Sequence, residues 1–140
     1  MAGVVLNVLP KRIFDFGNYS SGRSRCFAIA ERIDISQYID TVLIVRVHAL
    51  SIADGTITFS VLPDGFSEED PGVEFLDDTE LFAPVTLTSA TPAPTLLVHG
   101  GIASGQYASI IIKGLQGTSL AALTATVSLD LWLRSPEDTI

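Results

Sequence analysis

The stretch Leu123-Thr124-Ala125-Thr126-Val127-Ser128-Leu129-Asp130-Leu131-Trp132-Leu133-Arg134 decides the fold. Its odd positions are all apolar, while the even ones read Thr, Thr, Ser, Asp, Trp, Arg. A helix would spread such residues around its whole circumference, whereas a strand sends successive side chains to opposite faces and buries one of them. The same alternation runs through Thr41 to Leu50, with Leu43, Val45, Val47 and Ala49 on one face and Val42, Ile44, Arg46 and His48 on the other. Ile57, Phe59 and Val61 repeat it after Ala53-Asp54-Gly55, a turn sequence whose last two residues tolerate positive φ. Thr41 to Leu62 therefore reads as a hairpin of two antiparallel neighbours.

Further strands are predicted over Arg25 to Ile33, Val73 to Leu76, Leu81 to Thr88, Thr95 to His99 and Gln106 to Lys113. Turn chemistry separates them: Pro63-Asp64-Gly65, Asp70-Pro71-Gly72, Pro92-Ala93-Pro94, Gly100-Gly101, Gly114 and Gly117. Ile35 to Tyr38 and Ser119 to Leu123 have room for a single helical turn at most. Many short strands at this spacing predict an all-β, single-domain antiparallel β-sandwich, jelly-roll-like, occupying residues 23–140. Residues 1–22 have no clear period and are expected to form an extended N-terminal arm.

Composition narrows the function classes. The 140 residues are 47% hydrophobic and 17% charged, enough apolar material for one core of ordinary size. Sixteen acidic residues against eight basic ones give a net charge of -8, which argues against a phosphate-neutralising nucleic-acid binder. One cysteine, Cys26, permits neither an internal disulfide nor a thiolate zinc site. The start, Val4-Val5-Leu6-Asn7-Val8-Leu9-Pro10, has no basic residue ahead of it and does not read as a signal peptide. No apolar run is long enough for a spanning helix, so no membrane partner is expected. Asn18-Tyr19-Ser20 spells a glycosylation sequon, relevant only in a secretory compartment for which nothing else argues.

No catalytic, cofactor or metal site emerges. His99-Gly100-Gly101 is similar to an esterase oxyanion segment, but no G-x-S-x-G turn accompanies it, and a strand end followed by a glycine turn is the expectation. His48 shares a strand face with Arg46 and has no visible base or ligand partner. Asp64 to Glu80 carries eight carboxylates and no Lys or Arg, yet lacks the D-x-D-x-D-G spacing of an EF-hand. A solvated acidic loop is expected there. Lys11, Arg12, Arg23, Arg25, Arg32 and Arg46 make the first third basic, an asymmetry that permits head-to-tail contacts between copies. Val4, Leu6, Ile13, Phe14, Phe16 and Tyr19 exceed what a solvated tail carries, and Trp132 stands on the polar face of the last strand. These seven are the candidate subunit-interface residues.

Ile33-Asp34-Ile35-Ser36-Gln37-Tyr38, running into Asp40-Thr41-Val42-Leu43-Ile44-Val45-Arg46-Val47-His48, together with Ser128 to Arg134, resembles small β-sandwich virion structural proteins of tailed bacteriophages and prophages. The resemblance spans about residues 25 to 134. It implies a non-enzymatic head decoration (cement) or accessory capsid or tail protein, assembled in the host cytoplasm and located in the virion. The partners implied are other virion proteins, the major capsid protein foremost, and further copies of the chain, with a trimer as one form. The alternative from another class is a carbohydrate-binding or adhesin-type β-sandwich module.

Overall fold

The computed structural model describes residues 3–16, 24–63, 81–103, 106–117 and 122–135. Among the described residues eight strands follow one another: β1 (Gly3–Asp15), β2 (Ser24–Asp34), β3 (Asp40–Ile52), β4 (Gly55–Pro63), β5 (Val85–Leu87), β6 (Thr95–Ile102), β7 (Tyr107–Gln116) and β8 (Leu123–Arg134). They form two four-stranded antiparallel sheets, ordered β1-β8-β3-β6 and β2-β7-β4-β5. The pairings β1 with β8, β2 with β7, β3 with β6 and β4 with β5 nest inside one another. This is one long hairpin rolled up on itself, the jelly-roll arrangement that the sequence predicts.

Strict alternation carries the packing of β8 and of the first half of β3, whereas β4 and β7 are buried on both faces, Leu62 and Ile111 included. β8 buries Leu123, Ala125, Val127, Leu129, Leu131 and Leu133 and half-exposes every residue between them. Leu43, Val45 and Val47 of β3 face the same core, and Ile57, Phe59 and Val61 of β4 meet them from the opposite sheet. Every residue that the alternation places on these inward faces is buried except Ala49, which the register shift between Val47 and Ala49 leaves exposed.

The expected hairpin over Thr41 to Leu62 is not one. β3 pairs with β8 and β6, while β4 lies in the other sheet between β7 and β5. Ile52 is still opposite Leu123, and Gly55 is already opposite Gln116, so the corner crosses between sheets alongside the β7-to-β8 connection. The Ala53 N–H donates to Ala122 O at 2.9 Å, tying the two crossings together. Gly55 has φ +102°, and a Cβ there would sit 2.3 Å from Leu115 O. The Asp-Gly sequence thus serves a corner, with Asp54 Oδ1 accepting the Gly55 N–H at 2.9 Å. Period-two patterning cannot separate the two cases, because both strands bury one face either way.

The stretch read as an arm is, over Gly3–Asp15, an edge strand of the sandwich paired with β8. Register shifts between Asn7 and Leu9 and between Leu9 and Arg12 break its alternation, which is why no period shows in the sequence. Leu9, Phe14 and Phe16 enter the core. The Phe16 ring lies across Gly114 of β7, where a Cβ would stand 2.3 Å from the ring. Gly114, expected to end a strand, sits inside β7 and accommodates that ring. Gly114→Ala should therefore cost about 1–3 kcal/mol by overpacking. Phe16→Leu in the same chain should recover part of the loss, and additive losses in thermal melts would contradict the contact.

The Ile33-to-Tyr38 sequence links the two sheets. Ile35 is fully buried and donates its N–H to Gln106 O at 2.9 Å. Asp34 Oδ1 accepts from the Ser36 hydroxyl at 2.6 Å and from the Ser36 N–H at 2.9 Å, which holds its exposed carboxyl below the usual carboxylate range. Ser36→Ala should raise the Asp34 pKa toward that ordinary value in an NMR titration. Because the folded-state pKa is the depressed one, the stability difference between the two proteins should be present at neutral pH and fade as pH falls through it.

Other predicted strands are displaced. Within Leu81 to Thr88 only Val85–Leu87 is strand, and β6 continues past His99 through both glycines to Ile102. Val42 packs over Gly100, where a Cβ would lie 2.9 Å from its Cγ2 and 2.8 Å from Thr41 O. Those glycines permit close approach within the sheet instead of making a turn. Val73 to Leu76, the whole acidic connection from Asp64 to Glu80 and the Asn18 sequon lie outside the described residues.

Candidate interaction surface

The outer face of the β1-β8-β3-β6 sheet is the site. Registers place its outward positions in rows: Gly3, Arg134, Asp40, Ile102; then Val5, Trp132, Val42, Gly100; then Asn7, Asp130, Ile44, Val98; with Ser128, Arg46 and Leu96 next. A half-buried Trp132 is thus flanked by Val5 on one side and Val42 on the other, and Ile44 and Val98 continue the apolar surface one row away. Val5 is 61% exposed and Ile102 72%, values that leave their side chains mostly in water. A sheet face normally solvated would carry polar residues at these positions, so the apolar band is the informative departure.

Its charges are matched in pairs. Arg134 donates from Nε to Asp40 Oδ2 at 2.6 Å, with its terminal nitrogen on the same oxygen. Arg46 Nε lies 3.9 Å from Asp130 Oδ2, a looser and more exposed pair. His48 Nε2 is 3.0 Å from Ser128 Oγ across the strand pair. These ion pairs border the band without leaving net charge on it, which lowers the desolvation cost of covering the face.

The sequence-predicted interface residues divide. Trp132 and the 65% exposed Ile13 point outward from this sheet, and Val4 and Leu6 face inward on the edge strand, Leu6 packed against the core. Phe14 and Phe16 are buried within their own chain, so their apolar surface is already used. Tyr19 lies outside the described residues. Val5, Val42, Ile44, Leu96, Val98 and Ile102 were not singled out, although Val42 and Ile44 stand on the otherwise polar face of β3 as Trp132 does on β8. An apolar residue at a polar phase was the available signal.

The residues tested for chemistry are placed structurally. His99 faces inward, and its Nδ1–H donates to Ala83 O at 2.9 Å, pinning the segment before β5. Gly100 and Gly101 have their amides within a strand and are not an isolated oxyanion turn. Among the described residues no three His, Cys, Asp or Glu side chains group as a metal site. A hollow of about 400 Å³ at the arch end, lined by residues that include Leu50, Ser51, Thr88 and Thr91, contains no titratable side chain.

No protein-family model and no curated protein matches the chain. Seventeen solved chains match it in structure. A chain from the structure of Triatoma virus superposes with a TM-score of 0.56 at 10% identity, covering 95% of this chain and 64% of that one. The match spans 64% of that viral chain's own length. A chain of the Triatoma virus empty capsid superposes with a TM-score of 0.52, again at 10% identity, covering 94% and 88%. A carbohydrate-binding module from Cellvibrio mixtus lichenase 5A gives 0.47 at 11% identity, covering 94% and 98%. At these identities the likeness is one of fold: the chain is a β-sandwich whose structural neighbours include viral capsid proteins.

Proposed function

We propose that this chain is a non-enzymatic structural protein of a virus particle, in its specific form a bacteriophage head-decoration or accessory virion protein. It works by binding other virion subunits, the major capsid protein foremost, and takes its place in the particle after assembly in the host cytoplasm. The observation that carries the reading is the apolar, charge-paired outer face around Trp132 on a jelly-roll sheet, a surface built to be covered by protein. Four strands about 4.8 Å apart and about 3.3 Å per residue give this face about 700 Å², close to the roughly 800 Å² that each partner contributes to a standard interface. The fold shared with Triatoma virus capsid chains supports the particle context. No residue is assigned a catalytic role.

The test is particle association. Mass spectrometry of virus particles sedimented from a culture of the source organism should find the chain in fixed proportion to the shell protein. Recombinant chain should rebind stripped particles, and Trp132→Lys should abolish rebinding while leaving the circular dichroism spectrum unchanged. A chain absent from particles but retained on xylan or cellulose beads would replace this reading with the carbohydrate-binding one.

A further inference from the structure

We infer that β6 is a pairing edge through which two copies of the chain join their sheets antiparallel about a two-fold axis. The inference rests on a contrast among the four sheet edges. An open strand edge presents unpaired N–H and C=O groups, and proteins that stay single blunt such edges with charges, proline, bulges or shortness. β1 has Pro10, Lys11, Arg12 and two register shifts. β2 has Glu31, Arg32 at φ +55°, Asp34 and two shifts of its own. β5 is three residues long.

β6 has none of these devices. Its eight residues, Thr-Leu-Leu-Val-His-Gly-Gly-Ile, include no charge and no proline, and its pairing with β3 runs from Thr95 to Ile102 without a shift. Among the described residues it pairs with β3 on one side and with no strand on the other. Its outward side chains Leu96, Val98 and Ile102 are 50%, 52% and 72% exposed. On a chain of net charge -8, an uncharged edge is where a second copy can approach without burying a like charge.

The strand is complementary to itself. Directly opposed residues of an antiparallel pair point to the same face, so outward residues must meet outward residues. Centring the axis on His99 sets Leu96 opposite Ile102 of the second copy and Val98 opposite its Gly100, each contact occurring twice. On the inner side Leu97 faces Gly101 of the second copy, a bulky residue against a small one as at Val98 and Gly100. Centring one residue earlier would set Ile102 against Pro94, which has no N–H to donate. The product is a continuous eight-stranded sheet whose outer face joins the two apolar bands around Trp132. This inference extends the proposed function by naming a partner surface, and its test needs no virus particle, so the two can fail separately.

The full chain should sediment as a reversible dimer. Val98→Lys, an outward change that leaves the core intact, should reduce it to the monomer mass with an unchanged circular dichroism spectrum. In a Cys26→Ser background, Leu96→Cys combined with Ile102→Cys should form an intermolecular disulfide under mild oxidation, whereas either cysteine alone should not, being separated from its own symmetry mate. A wild-type chain that stays monomeric, a Val98→Lys chain that stays dimeric, or single-cysteine chains that cross-link as well as the double would each overturn the inference. A strand of a different protein as the natural occupant would give the first of these results.

Discussion

Deleting residues 1–16 is expected to abolish folding, not merely assembly. β1 supplies Leu9 and Phe14 to the core and rests Leu6 and Val8 against it, and Phe16, just past its end, is buried there too. It also completes the ladder on one side of β8 from Arg134 to Thr124. Losing one fully buried phenylalanine costs about 3–5 kcal/mol, so removing both aromatics and the strand exceeds much of the roughly 5–15 kcal/mol that holds a domain together. The truncated chain should lose its β-type circular dichroism and its NMR shift dispersion. A truncated chain that melts at the wild-type temperature would show that the N-terminal segment is a detachable arm, as its composition suggests.

That reversal shows what the sequence could convey. Where one register persists along a strand, as in β8, the inward set was readable residue by residue. In β1 the two shifts move the inward phase from Val4 and Leu6 to Leu9 and then to Phe14, and a pattern that changes phase looks like no pattern. The corner at Ala53 to Gly55 was misread for a different reason. Local turn chemistry reports which backbone angles are allowed, while the choice between hairpin and sheet crossing is made by β7 and β8, more than fifty residues later in the chain. Gly100 and Gly101 belong with this case, since their punctuation meaning yields to tight packing against Val42 and Phe82. For the surface, Trp132 was legible because one tryptophan among Thr, Ser, Asp and Arg is conspicuous. Val42 and Ile44 offer the weaker signal of an apolar residue at a polar phase, and they join Val5 and Val98 in a single band only when four strands distant in sequence are laid side by side.

The sandwich itself is tested most sharply at Phe59, whose replacement by Ala should cost about 3–5 kcal/mol and lower the melting temperature by about 10 °C or more. Phe59 is fully buried on β4, level with Val85 of β5 on one side and Ile112 of β7 on the other, both also buried. Its ring reaches into the space between sheets that Leu129 and Val45, themselves level with each other, fill from β8 and β3. Truncation removes the transfer energy of the ring and leaves a cavity that two hydrogen-bonded sheets cannot collapse to fill. Leu129→Ala should behave alike with a smaller loss, about 2–4 kcal/mol, because it vacates less volume. Ile44→Ala, one residue out of phase on the outer face, should stay within about 1 kcal/mol, since its side chain meets neighbours only on one side of the sheet. The ordering, with Phe59 and Leu129 far above Ile44 in denaturant midpoints at constant slope, is what a single core between two sheets requires. Equal losses at all three positions would mean that both faces of the β1-β8-β3-β6 sheet are packed in the isolated chain, leaving no free surface around Trp132 for a partner.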